Sequence, residues 1–430
     1  MNSSNMKIAY ILDSFPNVST TFIINEIFSV IGAGVPCQVF SLSAGNTEVV
    51  HPRARALLDA GCVTYWESPT ARDTFVSLAR HALRHPSSTL RTLNQARIAG
   101  GNRWIAREAL GIARALHGQG FTNVHAHFAD RAAQTAMWVG RWTGIPFTFT
   151  THRYDIFERP PGNMAELVSA AHRMVCISHF NRDYLVSHFG LAEGKLPIVR
   201  CGIYIDEFEG ETRVPPADKA VVRLLCVARL DPEKGHTYLL QAIRLLRDAG
   251  LNVELTLVGD GRLRDELSAQ AAQLGLGSRV TFLGARSATE VREQFEACDI
   301  AVLASLSEGV PIAIMEGMIS GRPVIAPAVL GVPELVEDRV TGFLCEPGSP
   351  GSIVRAVQWI LANPERTRRI VEAGKQRVKN DFCRETCTDE LIALWRQQPL
   401  GKRSHGKSPP RQAVPLHRPL QLETSSRKSP

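Results

Sequence analysis

The sequence lacks a long hydrophobic run, which argues against a chain that spans a membrane. Its longest stretch without a charged residue, Ile27 to Thr47, is interrupted by glycines and Pro36 and divides into a helix end, a turn and a strand. The opening segment MNSSNMKIAYIL has no basic leader, and its apolar run is shorter than that of a signal peptide. We therefore expect a cytoplasmic chain that is soluble or membrane-peripheral.

Paired cysteines are also lacking. The nine cysteines are scattered, odd in number and never spaced as CxxC, and most lie in apolar runs typical of buried free thiols. A reducing compartment fits this pattern, because structural disulfides form in oxidising ones.

Outside its last segment, the chain has no basic excess. It carries 49 Lys and Arg against 42 Asp and Glu, but residues 396–430 alone hold eight of the basic residues and one acidic residue. The remainder balances at 41 of each sign. A domain that binds nucleic acid is basic in its folded part, so nucleic acid is excluded as the main ligand.

What the sequence does contain is an alternation of short apolar runs and longer amphipathic segments, which is typical of βαβ units and parallel sheets. The first half offers the strand candidates KIAYIL, CQVFSL, NVHAHF, FTFTTH, RMVCIS and PIVRC. The second half offers VRLLCVAR, VELTLVG, RVTFLG, DIAVLAS, PVIAP and GFLCEP. With 430 residues, the pattern predicts two doubly wound, Rossmann-like α/β domains that face a central cleft.

A polar, proline-containing segment between the halves predicts the domain boundary. We expect a first domain over 6–208, a linker over 209–221, a second domain over 222–381, a helix over 382–398 that packs back towards the first domain, and a disordered basic tail over 399–430. The tail and the basic region 72–118 could each contact anionic lipid. A solubilising tail and an ordinary solvated helix face are the alternatives.

Two cations follow the first strand of the second domain in LLCVARLDPEKGHTYLLQA. Arg229 and Lys234 flank a turn before a helix that opens near Gly235. Doubly wound sheets bind ligands at the carboxyl ends of their strands, and two cations there suit a diphosphate. The alternative is a surface loop in which the cations pair with Asp231 and Glu233.

Two glutamates, Glu308 and Glu316, lie eight positions apart in SEGVPIAIMEG. Pro311 suits the first turn of a helix, and the N–H groups of Gly309 and Val310 would then be available to anionic oxygens. The glutamates would not be adjacent on one helix face, so we interpret them as separate hydrogen-bond acceptors. No cluster with metal-ligand spacing lies beside them, so we expect no catalytic metal.

Histidines end two strands of the first domain. The apolar strand FTFTTH ends in His152 and would place it, with Asp155, at the carboxyl end of the strand. His125 and His127 alternate on one strand and therefore share a face, which favours a supporting or acceptor-site function over a metal pair.

Several motifs together resemble the donor domain of the family-four glycosyltransferases, retaining enzymes of GT-B fold. They cover residues 223–395 densely and read VARLDPEKGHTYLLQA, LTLVGDGRLRDEL, VTFLGA and SEGVPIAIMEGMISGRPVIAPAVLGVPELVEDRVTGFLCEPG. The first domain resembles the branch that builds bacterial exopolysaccharides of the colanic-acid type, through FPNVSTTFIINEI, HAHFADRAAQTAMWVGRWTGIPFTFTTHRYDIF and CISHFNRDYL.

The resemblance implies a function for each candidate on the donor side. Arg229 and Lys234 would neutralise the donor diphosphate, and Glu316 would bind the ribose hydroxyls. Glu308, with the loop Gly309 to Pro311, would face the transferred sugar and the phosphates.

The resemblance implies two further functions. His152 would approach the hydroxymethyl group of the donor sugar, so His152 and Glu308 are the catalytic candidates. Glu334 in GVPELV would have a supporting function.

The implied reaction transfers a hexose from a UDP- or GDP-sugar to a lipid-linked saccharide, such as a polyprenyl-diphosphate-linked one, at the cytoplasmic membrane face. The enzyme would be retaining and metal-independent, with no cofactor besides the donor, and the leaving phosphate would help to deprotonate the acceptor. A sugar-nucleotide epimerase or glucan phosphorylase on the same fold is one alternative. A non-catalytic sugar-nucleotide-binding partner in a polysaccharide assembly complex is another.

Three positions depart from the family pattern. The STT of Ser19 to Thr21 stands where the branch usually has a central glutamate, and Tyr204 stands where the family often has an aspartate. Gly317 replaces the common alanine after the second glutamate. These departures concern the acceptor side and the linker more than the donor chemistry.

Overall fold

The computed structural model of the chain describes residues 6–17, 20–45, 51–66 and 103–396, with four isolated positions between 79 and 89. They divide into two compact units. The first contains residues up to 175, residues 189–197 and residues from 388; the second contains 176–188 and 198–387. The predicted tail 399–430, Ser19 and most of the basic region 72–118 lie outside the described residues.

The first unit contains a six-stranded sheet of order β3-β2-β1-β4-β5-β6, and all its strand pairs are parallel. Every residue of β1, β2, β4 and β5 is buried, as expected for a parallel sheet covered on both faces. The strands are β1 (Ile8–Leu12), β2 (Cys37–Ser41), β3 (Val63–Tyr65), β4 (Asn123–His127), β5 (Phe147–Thr150) and β6 (Arg173–Val175).

The second unit contains a six-stranded parallel sheet of order β12-β11-β10-β7-β8-β9. Numbered within each unit, both sheets have the order 3-2-1-4-5-6 of doubly wound folds, as the sequence predicts. The strands are β7 (Val222–Val227), β8 (Val253–Val258), β9 (Val280–Gly284), β10 (Ile300–Val302), β11 (Val324–Pro327) and β12 (Phe343–Cys345).

Helices connect the strands in both units. They are α1 (Thr21–Gly32), α2 (Pro52–Asp59), α3 (Arg103–Leu116), α4 (Arg131–Thr143), α5 (Met164–Ala170), α6 (His179–Phe189), α7 (Ile205–Phe208), α8 (His236–Asp248), α9 (Arg264–Gln273), α10 (Ala288–Ala297), α11 (Ile312–Ile319), α12 (Pro350–Ala362), α13 (Pro364–Asp381) and α14 (Arg384–Trp395). A π-helical turn, Tyr154–Glu158, follows β5. None of the described helices combines the length and apolar character needed to cross a bilayer.

Two elements differ from the sequence prediction. The candidate strand PIVRC is an isolated bridge between Ile198 and Cys176, with a hydrogen bond from Val199 N to Cys176 O. Pro197 has no N–H group with which to extend the pairing into a strand. Strand β3 was not predicted, because three residues are too short to show an alternating pattern.

The units also divide before the predicted boundary at residue 208. Residues 176–188 and 198–208 group with the second unit. Hydrogen bonds explain this division: Ile203 N donates to Phe382 O, and Arg384 N donates to Ile203 O. Helix α14 changes unit along its length, and the part from Thr388 onward groups with the first unit.

Candidate functional site

In the second unit, the loops that follow β7 and β10 touch at the carboxyl ends of their strands. Leu306 N donates to Glu233 O over 2.8 Å. Gly235 has φ +65°, and a Cβ atom there would lie 2.1 Å from Ala304 O. Only glycine fits this position, so the approach of the two loops is built into the sequence.

This approach brings together Lys234 and Glu308. Lys234 Nζ donates to Glu308 Oε1 over 2.6 Å, and Ser305 Oγ donates to the same oxygen over 2.7 Å. The Lys234 side chain is 15% exposed and that of Glu308 9% exposed, so the pair is largely shielded from water. The sequence predicted both residues but missed Ser305, whose only signal is its place at the end of DIAVLAS.

Arg229 lies closer to solvent. Its side chain is 52% exposed and pairs with Asp231 at 2.7 Å and Glu233 at 2.9 Å. The salt-bridged surface loop considered as an alternative is therefore present in this structure. Pairs between exposed groups are weak, so an anionic ligand can compete for the guanidinium group.

Backbone donors complete the group of residues around Lys234. Among the described residues, the N–H groups of Gly309 and Val310 have no hydrogen-bond acceptor. Pro311 is the last residue before α11, with an extended ψ of 119°, rather than a residue of its first turn as predicted. The helix thus begins at Ile312, and its free N–H groups follow this short extended segment. We call Arg229, Lys234, Ser305, Glu308 and Gly309–Pro311 the Lys234 site.

Glu316 lies in the second turn of α11, away from the Lys234–Glu308 pair in sequence. Its carboxyl group has no hydrogen bond or ion pair within the described part of the chain. Burial, with a smaller contribution from Glu207, raises the pKa of Glu316 to about 8. At neutral pH Glu316 can therefore donate as well as accept, whereas the sequence interpretation treated it only as an acceptor.

Glu334 caps a helix of the second unit. Its carboxylate accepts the N–H groups of His179 at 3.0 Å and Phe180 at 2.7 Å, and Arg200 lies 3.5 Å away. A carboxylate stabilises the positive end of the helix dipole, so Glu334 holds the start of α6 in place.

Packing explains the glycine that departs from the family pattern. A Cβ atom at Gly317 would meet Ala301 Cβ at 3.0 Å and the side chains of Phe295 and Val324 at 3.2 Å. An alanine would require these buried neighbours to move. The glycine at this position is thus explained by core packing and has no bearing on the function of the neighbouring Glu316.

In the first unit, His152 lies two residues after the end of β5 and is held at its backbone. Asp155 accepts the N–H of His152 at 2.8 Å and that of Ala129 at 2.7 Å, which joins the loops after β5 and β4. Burial raises the pKa of Asp155 to about 7. The His152 ring contacts the rings of Phe22 and Phe128, with centroid distances of 4.7 and 4.6 Å.

A chain of side-chain contacts leads from His152 into the core. His152 Nε2 lies 3.1 Å from His127 Nδ1, and His127 Nε2 lies 3.1 Å from Glu26 Oε1. The hydroxyl of Tyr10 donates to the same oxygen over 3.0 Å. All four residues are buried. Burial lowers the pKa of His152 well below its usual value, so this imidazole is neutral at neutral pH.

His125 shares the face of His127, as predicted, but binds threonines. Its Nδ1 lies 2.7 Å from Thr148 Oγ1, and its Nε2 lies 3.2 Å from Thr150 Oγ1. Trp395 Nε1 also donates to Thr148 Oγ1, over 3.0 Å. Burial lowers the pKa of His125 to about 3. We call Tyr10, Glu26, His125, His127 and His152 the His152 cluster.

The sequence prediction missed Tyr10, Glu26 and Trp395. The contact of the histidines with threonines could have been predicted from the sequence pattern. Thr148 and Thr150 alternate on β5 as His125 and His127 do on β4, and the two strands pair with these residues in register. Nothing in the local sequence links Glu26 on α1 with a histidine about a hundred positions later.

Two family models match the chain. The model described as "Glycosyltransferase Family 4" matches residues 54–207, and the model described as "Glycosyl transferases group 1" matches residues 209–377. The two matches meet near residue 208.

Curated relatives match over nearly their full length. A protein of Escherichia coli K12 with the provisional name colanic acid biosynthesis glycosyltransferase WcaL is 27% identical, over 90% of this chain and 99% of its own. The amylovoran biosynthesis glycosyltransferase AmsK of Erwinia amylovora is 24% identical over the same shares.

Solved structures share the fold. A glycosyltransferase from Rickettsia africae has a TM-score of 0.70 and 17% identity, covering 91% of this chain and 98% of its own. Anabaena Alr3699/HepE in complex with UDP and glucose also has a TM-score of 0.70, with 18% identity, covering 91% of this chain and all of its own. At these identities the likeness concerns the fold alone.

Proposed function

Because this chain belongs to the glycosyltransferases of GT-B fold, we propose that it is a retaining hexosyltransferase of exopolysaccharide or other cell-surface polysaccharide biosynthesis. The names of WcaL and AmsK, which refer to colanic acid and amylovoran, support this pathway class. The donor is a nucleotide diphosphate hexose. The complex of HepE with UDP and glucose supports a UDP-sugar, with a GDP-sugar as the second possibility.

One observation carries the proposal: the Lys234–Glu308 pair lies at the carboxyl ends of parallel strands, beside the free N–H groups of Gly309 and Val310. The leaving diphosphate gains negative charge in the transition state. An ammonium group and backbone donors already in place stabilise such charge without reorganisation. Arg229 adds a second cation from the more exposed side.

The two glutamates then have separate functions on the donor. Glu308 faces the transferred sugar, and its oxygen shared by Lys234 and Ser305 is poorly suited to nucleophilic attack. We therefore favour attack by the acceptor on the face that the diphosphate leaves, assisted by a phosphate oxygen, over a covalent glycosyl-enzyme route. Glu316 binds the ribose diol, for which a group able to donate and accept is suited.

His152 contributes from the first unit. Its ring is neutral and held by its neighbours, so it offers a hydrogen bond to a hydroxyl group of the donor sugar without introducing a charge. In this proposal His152 and Glu308 are the residues that contact the transferred sugar, and the reaction needs no metal.

The acceptor is a saccharide carried on a lipid such as polyprenyl diphosphate, so we propose that the enzyme works at the cytoplasmic face of the membrane. The basic excess of residues 396–430 supports a peripheral contact with anionic lipid. Co-sedimentation with anionic and neutral vesicles, with and without residues 399–430, tests this contact. Equal binding to both kinds of vesicle would contradict it.

The experiment that tests the proposed function combines a nucleotide-sugar screen with a transfer assay. A ligand that binds the folded state raises the melting temperature, so UDP- and GDP-hexoses are first ranked by thermal shift. The best donor is then incubated with lipid-linked saccharides, and NMR identifies the anomeric configuration of the product. We expect retention and an unchanged rate with a chelator; inversion, or epimerised donor with no transfer, would contradict the proposal.

A further inference from the structure

The hydrogen-bond directions along the His152 cluster follow from its innermost contact. The hydroxyl of Tyr10 donates to Glu26 Oε1, so this oxygen is an acceptor. His127 Nε2 lies 3.1 Å from the same oxygen and therefore carries a proton. The Glu26 carboxylate thus determines which nitrogen of His127 is protonated.

The contact between His127 and His152 then determines which nitrogen of His152 is protonated. If Nε2 holds the only ring proton of His127, its Nδ1 is unprotonated, and His152 Nε2 lies 3.1 Å from it. One proton must lie between the two nitrogens, so His152 Nε2 carries it. His152 Nδ1 is then unprotonated, and within the described part of the chain it has no hydrogen-bond partner.

The surroundings hold the ring in this orientation. The rings of Phe22 and Phe128 contact it, and Asp155 accepts its backbone N–H. Phe128 has φ +67°, a strained conformation for a bulky residue of the kind that concentrates at functional sites. These contacts, with the one between His152 Nε2 and His127 Nδ1, favour one orientation of the ring.

We propose that Glu26 and His127 are positioning residues that hold His152 as its Nε2–H tautomer, so that Nδ1 presents a lone pair to a hydroxyl group of the donor sugar. The part that concerns the sugar rests on the function proposed for His152. The part that concerns the tautomer stands on the contacts of the first unit alone. Partners behind a functional histidine commonly set its tautomer, and their loss costs about 10- to 100-fold in function.

A metal ion would reverse this tautomer. Glu26, His125 and His127 each bring one ligand atom within 4.8 Å of the others. Coordination through Nε2 of His127 would place its proton on Nδ1, which would donate to His152 Nε2 and leave the proton of His152 on Nδ1. The tautomer of His152 therefore distinguishes the two arrangements, and His125 already faces hydroxyl groups of Thr148 and Thr150 with both nitrogens.

The test is nitrogen NMR on the full chain labelled with ¹⁵N-histidine, with His152 assigned by its absence in a His152→Gln variant. We expect the Nε2–H tautomer in the wild type and its loss in Glu26→Leu, which removes the acceptor of His127 Nε2–H, and in His127→Phe. His127→Asn should retain it, because the asparagine oxygen can take the place of Nδ1 as acceptor. Glu166→Gln, a surface change in the same unit, is the matched control and should leave it unchanged.

Transfer kinetics supply the second readout. Glu26→Leu and His127→Phe should lower kcat at least about tenfold with donor Kd within about threefold, and His127→Asn should recover most of the loss. If Glu26→Leu does not fold, the two His127 variants decide. The Nδ1–H tautomer in the wild type, an unchanged tautomer in both Glu26→Leu and His127→Phe, or one metal ion per chain by elemental analysis would overturn the proposal. Normal transfer by His152→Ala would instead contradict the proposed function of His152, since the tautomer is read without activity.

Discussion

The Lys234 site and the His152 cluster occupy corresponding places in two sheets of the same strand order, yet they differ in charge and in exposure to solvent. The Lys234 site consists of charged side chains and free backbone N–H groups on loops, and Arg229 is more than half exposed. The His152 cluster consists of three imidazoles, the Tyr10 hydroxyl and the single carboxyl group of Glu26, and all its members are buried.

This difference matches two kinds of chemical task. A diphosphate needs compensating charge that a ligand can reach, and exposed ion pairs yield readily to a stronger anionic partner. A sugar hydroxyl needs a neutral hydrogen-bonding group in a fixed orientation, and burial lowers the pKa of His125 and of His152, which keeps these two imidazoles neutral. The same fold thus supports strong electrostatics in one unit and precise hydrogen bonding in the other.

The largest effect is expected from Lys234→Ala, which breaks the charged side of this comparison. Loss of a buried donor to the leaving diphosphate should reduce the transfer rate at least about 100-fold. Lys379→Ala, which removes an exposed lysine paired with Glu209 in the same unit, is the matched control. Near-normal turnover of a folded Lys234→Ala protein would remove the diphosphate assignment.

His152→Ala tests the neutral side, and we expect a loss of about 10- to 100-fold in kcat. Donor affinity should change little, because the proposed function assigns the nucleotide and the diphosphate to the second unit. Calorimetric Kd values for the donor, measured beside kcat, separate the two quantities. An affinity loss as large as the loss in kcat would show that both sites serve binding, and the contrast between them would disappear.

Glu316→Gln should weaken nucleotide binding about tenfold and also alter the pH dependence of stability. The pKa of Glu316 is about 8 when folded, above its ordinary value near 4.5, so the folded state holds the proton more tightly. Its contribution to stability is complete below pH 4.5 and is lost as the pH rises through 8. The variant should therefore be more stable than the wild type at pH 8.5, by about 1 kcal/mol or more, and equal at pH 4. If the free energies of unfolding of the wild type and the variant changed in parallel with pH, the raised pKa of this carboxyl group would be contradicted.

The smallest effect is expected from Glu334→Ala, which removes the cap of α6. The free energy of unfolding should fall by about 1 kcal/mol, since two helix N–H groups lose their acceptor. Glu337→Ala, an exposed neighbour, should change it by less than about 0.5 kcal/mol. Denaturant titration of both variants makes the measurement, and equal effects would assign no capping function to Glu334.

The sequence analysis predicted the two regions unequally. The doubly wound topology and nearly all strands are confirmed, because apolar runs and helical periods are local signals. Lys234 and Glu308 could be named because short motifs carry them and Gly235 brings their loops together. What could not be predicted was that Lys234 and Glu308 pair directly with each other.

The His152 cluster was only partly predictable, because its contacts are not local. His127 meets Glu26 across 101 positions of sequence, and Trp395 meets Thr148 across 247. Periodicity places His125 and His127 on one face, but it does not reveal which helix covers that face. The elevated pKa of Glu316 was missed for the same reason, since it depends on burial that only the tertiary structure provides.

The most direct measurement of the central claim, that the Lys234 site binds the diphosphate of a nucleotide sugar, needs no acceptor. Calorimetry gives Kd for the diphosphate and the monophosphate of uridine and of guanosine with the wild type and with Lys234→Ala. We expect the wild type to prefer the diphosphate of its nucleoside at least about tenfold, or about 1.4 kcal/mol, and this preference to fall close to one in the variant. A preference that is equally large in both proteins would contradict the account.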